Sequence, residues 1–190
     1  MERKVSFQVE EAIEVPEWTK NYPEHKFSVF KTCFLSTRPN SHHLDIDDAT
    51  LRKYASTILG GFLVAKIQNG DSMSHEEDEQ VYGVFPRDQK IEFVEEDGFT
   101  KAYAYAVVSK IYGKDFNAIF EGDNLRNSSV EMTVITEDDA DEGKVISFDL
   151  MGLCCLGHRI NGSCPDADIT MVRFSEEEAN AYFSESSKKN

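Results

Sequence analysis

A serine and a histidine are the residues here best suited to do chemistry together. At neutral pH histidine is the usual base for a serine nucleophile, since a neutral imidazole can take the hydroxyl proton. Five histidines are available: His25, His42, His43, His75 and His158. A base must sit where substrate can reach it, in a loop or at a strand end. His75 meets that condition, near the end of the polar stretch NGDSMSHEEDEQ and just before the strand-like VYGVF. His42 and His43 fall in a turn-like segment. Ser129 follows the turn-like GDNLRNS and opens the alternating SVEMTVIT, so it is expected at a loop-to-strand junction. Such a junction could aim the hydroxyl into a cleft, with neighbouring N–H groups forming an anion site. Ser128 beside it would face the other way. Taken singly, each histidine is more often a surface residue, and such a serine more often satisfies its own turn.

Other chemistries have less support. There is no G-x-S-x-G elbow, no phosphate-binding G-x-x-x-x-G-K-[ST] and no H-E-x-x-H. The acidic stretches SHEEDEQ and EDDADEG could offer oxygen ligands to calcium but lack the D-x-[DN]-x-[DN]-G pattern, so they read as solvated loops. Cys154 and Cys155 sit in the apolar LMGLCCLG and read as small core residues. Zinc on Cys155, His158 and Cys164 is the sharper alternative, but C-x2-H-x5-C matches no usual module and lacks a fourth ligand. No metal and no cofactor are expected.

The elements that must position these residues are mostly strands. Strand-like segments are KFSVFKTCFLS (26–36), FLVAKI, VYGVF, KIEFV, TKAYAYAVV, SVEMTVIT (129–136) and VISFDLMGLCCL. In TKAYAYAVV, Tyr103 and Tyr105 alternate with Ala102, Ala104 and Ala106, giving one bulky face and one small face that another element can approach closely. A helix is expected over ATLRKYASTI, capped by Asp47 or Asp48, with Leu51, Tyr54, Ala55 and Ile58 on one face. A second is expected over KDFNAIFEG, with Phe116, Ile119 and Phe120 on one side. A last helix should open at the capping box Ser175–Glu178. Strands adjacent in sequence favour an α+β fold, mainly antiparallel: a sheet or barrel with peripheral helices. Residues 1–25 read as an arm or edge strand, 26–178 as the single main domain and 179–190 as a polar tail.

Composition excludes some functions. A formal charge of -15, with no basic run longer than two residues, argues against binding nucleic acid. No apolar run is long enough for a transmembrane helix, and MERKVSFQVEEAIEV has no apolar signal core. No membrane partner and a cytoplasmic setting are expected, with the four cysteines reduced.

Several segments, in order, resemble the prohead (capsid maturation) proteases of tailed phages. KTCFLSTRPNSHHLDIDDATLRKYASTILGGFLVAKI is similar to that family's strand, Arg-x-Asn loop, helix and strand. HEEDEQVYGVF resembles its histidine and Gly-Val pair, and AYAYAVVSKIYGKDFNAIFEGDNLRNSSVEMTV its strand-helix-strand unit ending in Ser-x-Glu. FDLMGLCCLGHRINGSCPDADITMVRF resembles its closing strand with Gly-x-x-x-x-Gly and a following proline. The likeness spans residues 26–174. Its weight lies in the order of the segments and in the 54-residue interval from His75 to Ser129.

The resemblance implies an assemblin-like fold, a closed β-barrel ringed by a few helices. It implies a serine endopeptidase that cleaves scaffold and capsid proteins, and itself, during prohead maturation. Ser129 would be the nucleophile and His75 the base, with residues 152–157 a candidate oxyanion loop. For the third member, Gly152 stands where some relatives carry glutamate. Asp149 ranks first, with His158, Glu77, Asp71 or no third residue as alternatives. The implied partners are the scaffold protein, the major capsid protein and a second copy of the chain. The implied location is the host cytoplasm, inside the immature capsid. The ending SSKKN, with no coiled coil, suggests a processed protease domain. Two other readings stay open: a catalytically weak or inactive protease-like module that binds scaffold, and a β-barrel binding protein unrelated to phage.

Overall fold

The computed structural model describes residues 16–75, 77–138 and 141–172. The expected final helix from Ser175 and the tail 179–190 lie outside the described residues, as does the arm before residue 16.

The described chain forms β1 (Phe27–Ser36), β2 (Leu44–Asp45), α1 (Asp48–Tyr54), β3 (Phe62–Ala65), β4 (Ile67–Gln68), β5 (Asp71–Ser72), β6 (Gln80–Val84), β7 (Glu92–Glu96), β8 (Phe99–Ser109), α2 (Lys114–Ala118), β9 (Leu125–Thr136), β10 (Gly143–Cys155) and β11 (Asp168–Val172). Seven strands run in the order β1-β11-β9-β10-β3-β6-β8, and β8 pairs back onto β1, which closes a barrel. Its seams are antiparallel except between β10 and β3, which run parallel. β7 extends β8 outside the barrel, and β2 pairs with β10. Closure leaves the seven barrel strands without a free long edge.

The period-two pattern of β8 decides what fills the barrel. Ala102, Ala104, Ala106 and Val108 are fully buried in the main core, while Tyr103 and Tyr105 face outward. The small inner face leaves room for rings. Phe30 of β1 lies opposite Ala106 and meets Phe116 and Phe120 edge-on, with centroids at 5.3 and 4.9 Å. Phe116 lies on α2 and Phe120 just beyond it, so this helix anchors itself through its aromatic side.

Asp47 caps α1 by accepting from the Thr50 N–H at 2.7 Å, and a 3-10 turn over Ala55–Ile58 continues the helix. Leu51, Ala55 and Ile58 are fully buried, as their shared face requires. Outside the barrel, Trp18 on a 3-10 turn (Glu17–Asn21) packs edge-on against Tyr105 at 5.9 Å. Residues 16–25 therefore include a segment docked on the outer face of β8. The polar stretch after β3 is expected to be loop, yet it begins with a hairpin, β4–β5, turning at Asn69-Gly70, where both residues have positive φ.

Candidate active site

Sequence position suggests a junction for Ser129, but it lies inside β9, whose ladder begins at Leu125. Asn127, Ser129 and Glu131 share the outward face of β9, while Val130 packs into the core. Ser129 is paired with Cys154 of β10, and Glu131 with Gly152. Those two rows continue across the barrel wall: Cys154 pairs with Val64 and Gly152 with Phe62 on β3, then Val64 with Val81 and Phe62 with Val84 on β6. Directly opposed residues of paired strands project to the same side. Ser129, Glu131, Cys154 and the exposed Phe62, Val81 and Val84 therefore form one outer patch.

The loop after β5 folds over this patch. His75 Nδ1 lies 3.2 Å from Glu79 Oε1, and the Cys154 thiol donates to the same oxygen at 3.2 Å. The His75 side chain is about half exposed (48%) and Glu79 only 12%. Ser129 is 8% exposed. Two residues brought to one patch from 54 positions apart are thus linked through Glu79 and Cys154.

The loop is held by its hairpin. Asp71 accepts from Arg126 Nε and from the His158 backbone N–H, each at 3.0 Å. The Ser72 hydroxyl donates to the Cys155 carbonyl at 2.6 Å. A Cβ on Gly157 would stand 2.1 Å from the Ser72 carbonyl oxygen, so only glycine lets the turn after β10 approach the hairpin so closely. Burial raises the Asp71 pKa, but the His158 and Ser72 N–H groups and the Arg126 charge together outweigh it and hold the group below the usual carboxylate range.

Electrostatics separate the roles in the patch. Burial, then the Glu79 hydrogen bond, drives the Cys154 thiol far above its ordinary pKa, so it stays a protonated donor and not a nucleophile. Burial, with the neighbouring Glu79 charge and its hydrogen bond, also raises the Glu131 carboxyl, while His75 works against the rise. Gly152 makes room for this carboxyl. A Cβ there would meet Glu131 Oε2 at 3.2 Å and the Phe62 carbonyl oxygen at 2.7 Å. Glu131 from the neighbouring strand thus occupies the side-chain space that Gly152 vacates.

Other expected residues lie elsewhere. Asp149 is exposed on β10 opposite Thr133, four positions along β9 from Ser129, or about 13 Å at ordinary strand rise. The carboxylate on the His75 ring is Glu79. His158 pairs with Asp123 (2.9 Å), Asp71 with Arg126, and Glu77 is exposed. Cys155 and Cys164 are buried apart from this histidine, Cys164 beside the Ser36 hydroxyl at 3.5 Å, so the C-x2-H-x5-C residues form no shared centre.

The anticipated oxyanion donors are also engaged. Leu156 N–H donates to the Asn127 carbonyl at 2.9 Å. By the two-residue alternation of an antiparallel ladder, Ser129 and Cys154 are then a hydrogen-bonded pair. The Ser129 N–H belongs to that ladder, and Ser128 N–H donates to the Ala167 carbonyl at 3.1 Å. Residues 152–155 are strand, with 152–154 paired on both sides and Cys155 paired with β9. Glu79 and Glu131 are the site residues that sequence reasoning missed. Glu79 carried a weak signal, four positions after His75. Glu131 carried its place in the Ser-x-Glu motif.

No helix among the described residues is long and apolar enough to cross a membrane. No curated protein and no solved structure matches the chain. A family profile described as the YonD N-terminal domain matches residues 26–189, a span that includes the whole barrel and every residue of the patch. The chain therefore belongs to the YonD N-terminal domain family, a phage-associated family.

Proposed function

We propose that the chain is a serine endopeptidase of prohead maturation, with an assemblin-like barrel, and that it cleaves scaffold and capsid proteins inside the immature shell. The observation that carries this reading is the convergence of His75 and Ser129 on one outer patch, with a carboxylate on the imidazole. With Nδ1–H donating to Glu79, the lone pair resides on Nε2, the nitrogen that would take the Ser129 proton. Ser129 Oγ would then attack the scissile carbonyl, and His75 would return the proton to the leaving amine. Glu79, in place of Asp149, orients the ring and stabilises the imidazolium. Asn127, two positions before Ser129 on the same face, carries the nearest side-chain N–H on β9 and is the candidate oxyanion donor. It now donates to the Ile160 carbonyl at 2.8 Å. The exposed Phe62, Val81 and Val84 form an apolar ledge beside the site, suited to the side chains of an extended peptide.

A fluorophosphonate probe tests the nucleophile. The expected adduct maps to Ser129 and disappears in His75→Ala. An adduct on another serine overturns the assignment. The second reading, a scaffold-binding module without catalysis, is favoured by one observation: the backbone donors beside Ser129 are already committed to the sheet. Wild-type protein that binds scaffold and takes up no probe would support it.

A further inference from the structure

We propose that His75, Glu79 and Cys154 form a binding site for a borderline divalent metal such as Zn²⁺. The three ligand atoms, a ring nitrogen, a carboxylate oxygen and a sulfur, all lie within 4.8 Å of one another. They come from separate parts of the chain: the loop after β5 for His75 and Glu79, and the end of β10 for Cys154. A tetrahedral zinc with bonds of about 2.0–2.3 Å sets its ligands roughly 3.3–3.8 Å apart. Two of the separations here are 3.2 Å, so the donors need to move by only tenths of an ångström there.

The donor set selects the class of metal. A thiol and an imidazole suit zinc or cobalt, whereas calcium and magnesium take oxygen shells. On binding, the Cys154 thiol proton leaves to solvent and the thiolate ligates the metal.

Occupancy would silence the base. With the metal on Nδ1, the neutral ring carries its proton on Nε2 and cannot accept one from Ser129. This consequence rests on the peptidase reading; the binding does not.

Titration of the full chain with Co²⁺ tests the site. The expected result is one equivalent bound, with a near-ultraviolet thiolate charge-transfer band that Zn²⁺ removes by competition. Cys154→Ser should abolish that band, and His75→Ala, an exposed loop change, should weaken binding by at least ~10-fold. No thiolate band in wild type, or an unchanged band in Cys154→Ser, overturns the proposal. Scaffold cleavage is measured in parallel with and without Zn²⁺. Inhibition of wild type but not of Cys154→Ser supports metal control of the base. Cleavage without any metal binding removes this site and leaves the peptidase standing. Metal binding without cleavage under any condition does the reverse.

Discussion

At the scale of single residues, the candidate site depends on which carboxylate meets His75. Glu79 does so at 3.2 Å, whereas Asp149 sits on an exposed stretch of β10 opposite Thr133. Glu79→Gln should therefore lower kcat by about 10³-fold or more with little change in KM, because the ring loses the partner that sets its tautomer. Asp149→Asn should cleave like wild type. Steady-state kinetics on a scaffold-derived peptide distinguish the two, and a severe loss in Asp149→Asn would reverse the ranking. Gly152 offers a stability test. Adding a methyl group meets the Phe62 carbonyl oxygen at 2.7 Å and Glu131 Oε2 at 3.2 Å. Gly152→Ala should cost about 1–3 kcal/mol in denaturant unfolding, as overpacking does. An unchanged midpoint would show that Glu131 does not need the space.

At the scale of elements, the sequence was most legible where period and burial agree. The alternation of Tyr103 and Tyr105 with alanines foretold an inner face that rings could approach, and Phe30, Phe116 and Phe120 share that core. Ala104→Leu should destabilise the barrel by about 1–3 kcal/mol, measured by thermal unfolding, since the space inside β8 is already filled. The helix over 48–58 was legible from its cap and its apolar face. The start of β9 was not, because GDNLRNS carries turn-forming residues. Leu125, Arg126 and Asn127 are strand because β11 pairs with them, a partner more than forty positions away that no local window contains. That pairing moves Ser129 from a junction to the inside of a strand, and its pairing with Cys154 of β10 removes its N–H from the oxyanion account. The proposed ledge has its own test. Phe62 is half exposed beside the site, so Phe62→Ala should raise KM several-fold and leave kcat nearly unchanged. A fall in kcat alone would place Phe62 outside substrate binding.

At the scale of the whole molecule, closure of the seven-stranded barrel brings the loop after β5 and the middle of β9 together. Composition and alternation favoured an antiparallel sheet or barrel but could not select β8 as the strand that closes onto β1, nor the parallel seam of β10 and β3. Both are choices among long-range pairings. The same limit hid Glu131, since its role follows from a cross-strand register in which Gly152 is its partner. A second polar centre ties the barrel together at Asp166, which accepts from Ser36 Oγ (2.8 Å) and Arg38 Nε (3.0 Å), with Lys101 at 3.5 Å. Burial raises the Asp166 pKa, yet these hydrogen bonds and charges together outweigh it and leave it below the ordinary carboxylate value. A depressed folded-state pKa contributes stability above the unfolded value, near pH ~4, and loses it as pH falls through the folded value. The melting temperature of wild type should thus fall on acidification below about pH 4 more steeply than that of Asp166→Asn. Parallel slopes would remove Asp166 from the acid response.

The central claim is that Ser129 and His75 form one catalytic centre, and cleavage of scaffold co-assembled with the chain and its capsid protein tests it most directly. Wild type should process the scaffold within assembled shells, while Ser129→Ala and His75→Ala, assembled to the same extent, should leave it intact. Scaffold cleaved by Ser129→Ala at the wild-type rate would contradict the account.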